Sequence, residues 1–217
     1  MEKVLIRHPG LYRIYDETTG ALCNGFRQAW YPTRWQRLSG CGPTNAAAIL
    51  YYLENCEQAD SGLFGAAEGG AAATSGQALQ WMQLLWRYVK PTMHGVSSTA
   101  QFIQGLRAYA HAASLELHIE SCDIPADPRG RPDAAQMARF IGEALQNDRP
   151  VAFLNLHNGG EPELDDWHWV TITVLENRED GDWIAGILDD GLEKQVNLTQ
   201  WLIGTKRDGG FVRFWKS

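Results

Sequence analysis

The apolar positions in the first two thirds of the chain repeat at the spacing of an α-helix. In residues 42–55 they recur at i, i+3, i+4 and i+7 and so share one helix face: Ala46, Ile49, Leu50 and Leu53. Pro43 suits the first turn of this helix, where a missing N–H costs no hydrogen bond. Similar spacing predicts three further helices: residues 77–89, 99–113 and 133–147.

The pattern changes in the last third of the chain, where apolar residues alternate with polar ones or form short runs. Such patterns predict β-strands: residues 151–156, 168–175, 183–189 and 211–215. Helices followed by antiparallel strands predict an α+β domain. We therefore expect residues 1–217 to form one domain, with a helical part at about 36–148 and a sheet part at about 149–217.

A stretch rich in Gly, Ala and Ser, residues 61–75, separates the first two predicted helices. This composition predicts a loop. Such a loop is either a linker between helices or a lid over a site, and the linker is the favoured interpretation.

Charge and hydropathy exclude several classes of partner. The net charge is −7 and there is no run of Lys and Arg, so the sequence lacks the basic stripe that a nucleic-acid partner requires. No apolar stretch approaches the roughly 18–20 residues that span a bilayer, so no membrane partner is expected. The N-terminal segment lacks the architecture of a signal peptide, which predicts a cytoplasmic location.

The four cysteines show neither a disulfide framework nor a metal motif. They lie at positions 23, 41, 56 and 122 without a C-x-x-C pair, and no H-E-x-x-H is present. We therefore consider each cysteine separately as a thiol, and we expect no metal and no cofactor.

Cys41 occupies a position suited to nucleophilic chemistry. It lies in SGCGPTN, directly before the Pro-started helix. A helix N-terminus carries a partial positive charge that stabilises a thiolate, and the Cys41 N–H is placed to bind an oxyanion. Gly40 and Gly42 would let a substrate backbone approach closely. The alternative is a small buried cysteine beside a helix cap.

His168 is the candidate base, because it opens a strand directly after a polar loop. The strand that His168 opens, residues 168–175, could form a hairpin with residues 183–189. In that hairpin, a turn centred between residues 178 and 179 places position 168 opposite Asp189, and a turn centred on 179 places it opposite Asp190. Either aspartate would then share a face with the imidazole and orient it. Asp189 is slightly favoured, and Asp165 and Asp166 compete by nearness in sequence.

Gln36 precedes Cys41 by five residues and is a candidate second oxyanion donor. The alternative is an exposed polar residue of a loop.

Together, these segments resemble the Cys, His and Asp blocks of papain-like cysteine peptidases, and most closely the branch related to bacteriocin leader (double-glycine) processing peptidases. The matching segments are SGCGPTNAAAILYYL, HWVTITVL and GILDDG. The matching residues are Gln36, Cys41, His168 and Asp189, in the order and approximate separations of that family. The resemblance covers about residues 34–55 and 149–202. It departs from the family where Asp-Pro is replaced by Asp189-Asp190-Gly191 and in the spacing of Gln36.

The resemblance implies a papain-like fold and a hydrolase that cleaves a peptide or amide bond through a Cys41 acyl-enzyme. In this scheme His168 transfers the proton, Asp189 orients His168, and Gln36 helps to hold the oxyanion. Two alternatives remain open: an acyl or peptidyl transferase of the same fold, in which an amine replaces water, and an inactive peptide-binding module.

Overall fold

The computed structural model describes residues 3–60 and 72–216. Most of the Gly/Ala/Ser-rich stretch lies outside these residues, so its interpretation as linker or lid is not addressed by the structure. The described residues form a mixed α+β architecture in which helices pack on a large antiparallel sheet.

Six α-helices occur in the described residues: α1 (Arg34–Ser39), α2 (Cys41–Asp60), α3 (Ser75–Trp86), α4 (Thr99–Ala113), α5 (Ala134–Gln146) and α6 (Leu198–Gly204). Most begin at a polar side chain that accepts a hydrogen bond from a backbone N–H three residues later. Thr74 and Asp133 form complete capping boxes, in which a Gln side chain returns a bond to the cap. The predicted helices are therefore present, with starts set by their caps.

The same part of the chain contains ten strands: β1 (Lys3–Leu5), β2 (Arg13–Tyr15), β3 (Leu22–Asn24), β4 (Ala73–Thr74), β5 (Leu117–Ile124), β6 (Val151–Asn155), β7 (His168–Asn177), β8 (Trp183–Asp189), β9 (Leu192–Asn197) and β10 (Gly209–Lys216). The large sheet has the order β5-β10-β6-β7-β8-β9, and β1 also pairs with β7. All of these pairings are antiparallel. Strands β3, β2 and β4 form a separate small sheet.

The sequence predicted a sheet made from about residues 149–217, but the large sheet also includes strands from outside this range. Strand β5 lies within the range assigned to helices and forms the edge of the sheet by pairing with β10, and β1 comes from the first residues described. Strand β5 has only one fully buried residue, Ile124, because it lies at an edge. Its hydrophobic signal is therefore weak.

Helix α2 is the central helix of the core. Residues 41–50 are all buried, which explains why its apolar pattern extends around the helix instead of following one narrow stripe. Helix α2 packs on β7 and β6 and against α3. On the same side of β7, Phe102 of α4 stacks on Trp169 with ring centroids 4.3 Å apart. On the other side of the sheet, Trp201 of α6 packs against Phe153.

This packing brings the N-terminus of α2 to the end of the sheet where β7 begins. Among residues 3–60 and 72–216, no helix is both long enough and apolar enough to cross a membrane.

Candidate active site

Cys41 is the first residue of α2 and is buried, with a relative exposure of 9%. Helix α1 ends at Ser39, and the Gly40 carbonyl accepts the N–H of Thr44. Gly40 therefore caps α2, and the thiol lies at the positive end of a 20-residue helix.

The two glycines beside Cys41 serve protein packing. A Cβ atom on Gly40 would lie 2.4 Å from the Gln36 carbonyl oxygen, and one on Gly42 would lie 2.7 Å from Val96 Cγ2. Both distances are shorter than side chains tolerate. The sequence predicted that these glycines admit a substrate backbone, but the structure gives a different reason for them. They let the first turn of α2 sit tightly against its neighbours.

His168 begins β7 and is held in place on both sides along the chain. Its strand neighbour on β6 is Asn155, which is fully buried and donates to the Asp165 carbonyl at 2.7 Å. The next residue, Trp169, donates its indole N–H to the Val96 carbonyl at 2.7 Å. These bonds fix the loop before His168 and the start of the strand after it.

The imidazole of His168 lies between Asp189 and Cys41. Its Nε2 atom is 2.6 Å from Asp189 Oδ1. The Cys41 side chain lies close enough to the ring to raise its pKa, and all three residues line the same cleft. Because Nε2 faces Asp189, Nδ1 is the nitrogen available to the thiol. The structure thus brings together three of the four residues singled out from the sequence.

Electrostatics at this site favour the protonated imidazole. Burial alone lowers the pKa of His168, but hydrogen bonds and negative charge from Asp189 and Cys41 outweigh it and raise the pKa to about 10. Burial has the opposite effect on Asp189. There, the hydrogen bonds from His168 and Lys194 still hold the pKa below its ordinary value. The arrangement is that of an ion pair between imidazolium and carboxylate, with the thiol beside it.

A one-residue bulge at Thr173 determines which aspartate faces His168. The ladder between β7 and β8 shifts by one residue there, as three pairs show: Asn177 opposite Trp183, Val174 opposite Gly186 and Thr171 opposite Leu188. Continuing the last register places Asp189 opposite Val170, on the side from which His168 projects. Without the extra residue, Asp190 would take that place.

The register predicted from the turn was therefore wrong. The hairpin is centred on residue 180, and with the bulge His168 lies diagonally from Asp189 instead of directly opposite it. Asp190 has a different role. Together with Gly191 it forms the turn to β9, both residues have positive φ, and its carboxylate accepts the N–H of Gln28 at 2.9 Å.

The structure does not bring Gln36 into the cleft. Gln36 occupies the first turn of α1, where its backbone N–H donates to Thr33 Oγ1 and its Oε1 accepts the Thr33 hydroxyl. The segment Thr33-x-x-Gln36 is thus a helix-capping sequence. The glutamine among the described residues lining the cleft is Gln28, whose Nε2 donates to the Arg37 carbonyl at 2.6 Å.

The two competing aspartates lie at the mouth of the cleft. The Asp166 carboxylate accepts the N–H of Asn158 at 2.6 Å, and the Asp165 side chain is exposed. Between them and His168, Trp167 has a positive φ of 60° and is 43% exposed. The Arg207 guanidinium lies 5.0 Å from the centre of its ring. A bulky residue in this backbone region is uncommon, so the fold holds Trp167 as one wall of the cleft.

The cleft that contains Cys41, His168 and Asp189 encloses about 930 Å³. This volume suits a small molecule or a short peptide segment. Apolar and charged side chains both line it. Leu38 of α1 and Leu192 of β9 are among the apolar ones.

Three residues of the site were missed in the sequence: Asn45, Thr171 and Lys194. Asn45 lies one helical turn after Cys41 and donates to Thr171 Oγ1 at 2.9 Å, in the core beside the site. Lys194 Nζ lies 2.7 Å from Asp189 Oδ2. The i+4 spacing from Cys41 and the Asp-Gly hairpin signal at Asp190-Gly191 would have pointed to Asn45 and Lys194.

No protein-family model matches the chain, and a search of curated proteins finds none with significant similarity. Within the described part of the chain, no three His, Cys, Asp or Glu side chains are grouped so as to hold a metal ion.

Proposed function

We propose that the chain is a papain-like cysteine hydrolase that cleaves a peptide or amide bond. The observation that carries the proposal is the 2.6 Å hydrogen bond between His168 and Asp189 in a cleft that Cys41 also lines, at the N-terminus of α2. A thiol, an imidazole and a carboxylate in this order form the arrangement of nucleophile, base and orienting group that acyl transfer requires.

In the proposed reaction, the Cys41 thiolate attacks the carbonyl carbon of the substrate. The Cys41 N–H, at the start of α2, is the proposed donor to the oxyanion. His168 gives its proton to the departing amine, and the C–N bond breaks to leave a thioester on Cys41. Water then attacks the thioester while His168 takes its proton, and the C–S bond breaks to release the acid and restore the Cys41 thiolate beside protonated His168.

The first test is alkylation of Cys41 by iodoacetamide, followed by peptide mass spectrometry between about pH 5 and 9. Cys23, Cys56 and Cys122 serve as internal references. At about pH 6 we expect Cys41 to react faster than the other three cysteines, and we expect His168→Ala to abolish this difference. If Cys41 reacts no faster than the reference cysteines, no preformed nucleophile exists and the proposal is wrong.

The second test is cleavage of a library of peptides from a digested proteome, with Cys41→Ala as the matched control. New peptide termini that appear only with the wild-type protein support a hydrolase and define its substrate. Repeating the incubation with an added amine distinguishes the transferase, because amine-capped products would then replace free acids. If no peptide or acyl product forms although Cys41 is reactive, a peptide-binding module is favoured.

A further inference from the structure

Lys194 places a second cation on the carboxylate that orients His168. Its ammonium lies 2.7 Å from Asp189 Oδ2, while His168 Nε2 lies 2.6 Å from Asp189 Oδ1. The carboxylate is therefore bonded at both oxygens by cationic or potentially cationic groups. Lys194 belongs to β9, which pairs with β8 and continues from it through the turn at Asp190 and Gly191.

Burial makes this second cation important. The Asp189 side chain is only 3% exposed, so water contributes little to stabilising its charge. A buried carboxylate that loses its partner is strongly destabilising. If His168 were its only cation, each loss of the imidazolium proton would leave Asp189 as an uncompensated charge, and the proton would be held too tightly.

We propose that Lys194 is a positioning residue of this site: its ammonium keeps Asp189 ionised and in place while His168 releases and regains a proton. This inference rests on the proposed function, since a proton cycle at His168 has meaning only if Cys41 performs acyl transfer. Lys194 itself touches no reacting atom. It acts through the carboxylate of Asp189.

The charged groups around the pair are consistent with this role. Three carboxylates act on the charge of Lys194: Asp189 of β8, and Asp165 and Glu163 of the loop before β7. Partial burial lowers the pKa of Lys194, but these three carboxylates outweigh it and raise the pKa. Lys194 is therefore protonated at neutral pH. His168 in turn faces Cys41 of α2 and Asp189 of β8.

The test is the titration of the His168 ring nitrogens, followed by NMR on protein with ¹⁵N-labelled histidine. We would use a Cys41→Ala background, which removes the thiolate and brings the titration to a more accessible pH. His168→Gln assigns the signal. Adding Lys194→Met is expected to raise the titration midpoint by about one pH unit, because an opposing positive charge is lost. Lys194→Arg should restore it, and Lys90→Met, an exposed lysine outside the cleft, should leave it unchanged.

Turnover supplies the second readout, on a peptide identified by the library. With Cys41 intact, Lys194→Met should lower kcat about tenfold with little change in KM, while alkylation at neutral pH stays within about threefold of wild type. Alkylation is spared because it needs the thiolate but no proton transfer to a leaving group. Lys194→Gln replaces the methionine variant if thermal unfolding shows that the latter does not fold.

An unchanged midpoint in the charge-removing variant overturns the inference, as does a loss of kcat that Lys194→Arg does not restore. Failure of the proposed function looks different. In that case wild-type Cys41 would lack its reactivity, and His168→Ala would not alter it, whatever the effect of changes at Lys194.

Discussion

Asn45 donates a buried hydrogen bond of 2.9 Å to Thr171, and this bond joins the helix of Cys41 to the strand that begins at His168. Asn45 lies one turn from the thiol and Thr171 lies three residues from the imidazole. The nucleophile and base come from positions 127 residues apart. Their separation therefore depends on how firmly α2 is held against β7.

Replacing Asn45 with Ala should lower the free energy of unfolding by about 1–3 kcal/mol, because the buried Thr171 hydroxyl loses its partner. Alkylation of Cys41 should slow as well, since the helix and strand are less firmly joined. Urea unfolding and the alkylation rate measure the two effects. Asn147→Ala is the matched control. Its side chain donates only to its own helix, at the Glu143 carbonyl on the surface, so a change within about 0.5 kcal/mol is expected. Equal losses for both variants would contradict a special role for Asn45.

Asp189 and Asp190 are adjacent, yet the structure assigns them different roles, and isosteric substitution separates these. Asp189→Asn removes the charge next to His168 and should reduce peptide hydrolysis by roughly 10²–10⁴-fold. Asp190→Asn should change it less than about threefold, because Asn tolerates positive φ and its carbonyl can still accept the Gln28 N–H. Initial rates on the same peptide compare the two. A larger loss at Asp190 would mean that the bulge at Thr173 does not set the register in solution.

Asp189 and Asp190 also show how much of the site could be predicted from the sequence. The Cys, His and Asp segments were singled out because each lies at the boundary of a predicted element: Pro43 starts the helix after Cys41, a polar loop precedes His168, and Asp189 ends a strand. The choice between Asp189 and Asp190 depends on a bulge, which has no counterpart in the period-two pattern of β7. A one-residue slip in pairing changes which side chain shares a face, and local patterns do not record it.

Gln36 was predicted to be an oxyanion donor from its position in the sequence and from the resemblance. Its local sequence explains why it lies outside the cleft. A Thr three residues before a Gln favours a helix cap, and the structure uses it as one. The edge strand β5 was missed for another reason. With water on one side it carries a weak hydrophobic pattern, and only its pairing with β10 identifies it.

The stability of the folded protein should depend on pH through His168. Folding raises the pKa of His168 from 6.5 to about 10, so the folded state binds this proton more tightly than the unfolded state does. The resulting stabilisation is complete below pH 6.5 and is lost as the pH rises through about 10. Urea unfolding of wild type and His168→Gln at several pH values across this range measures it. The difference in free energy between the two proteins should shrink steadily towards high pH, and parallel curves would contradict the raised pKa.

Gly42 offers a test of whether the close packing at the start of α2 controls the reactivity of Cys41. A Cβ atom on Gly42 would lie 2.7 Å from Val96 Cγ2, so Gly42→Ala must push the first turn of the helix away from Val96. The carbonyl of Val96 also accepts the indole N–H of Trp169, the residue after His168. A displacement at Val96 therefore affects the positions of both Cys41 and His168. We expect a loss of about 1–3 kcal/mol in the free energy of unfolding and slower alkylation of Cys41.

Adding Val96→Ala to Gly42→Ala removes Val96 Cγ2, which lies 2.7 Å from the new Cβ, but keeps Val96 Cβ at 2.8 Å, so the steric relief is partial. The double variant should regain part of the alkylation rate even though the loss of Val96 methyl groups itself costs stability. Gly10→Ala is the matched control, because no heavy atom lies within 4 Å of its Cβ position. If Gly42→Ala slows alkylation and the second substitution restores none of it, steric contact with Val96 is not the cause. Direct contact of Gly42 with the bound reagent would then be the remaining explanation, as the sequence first suggested.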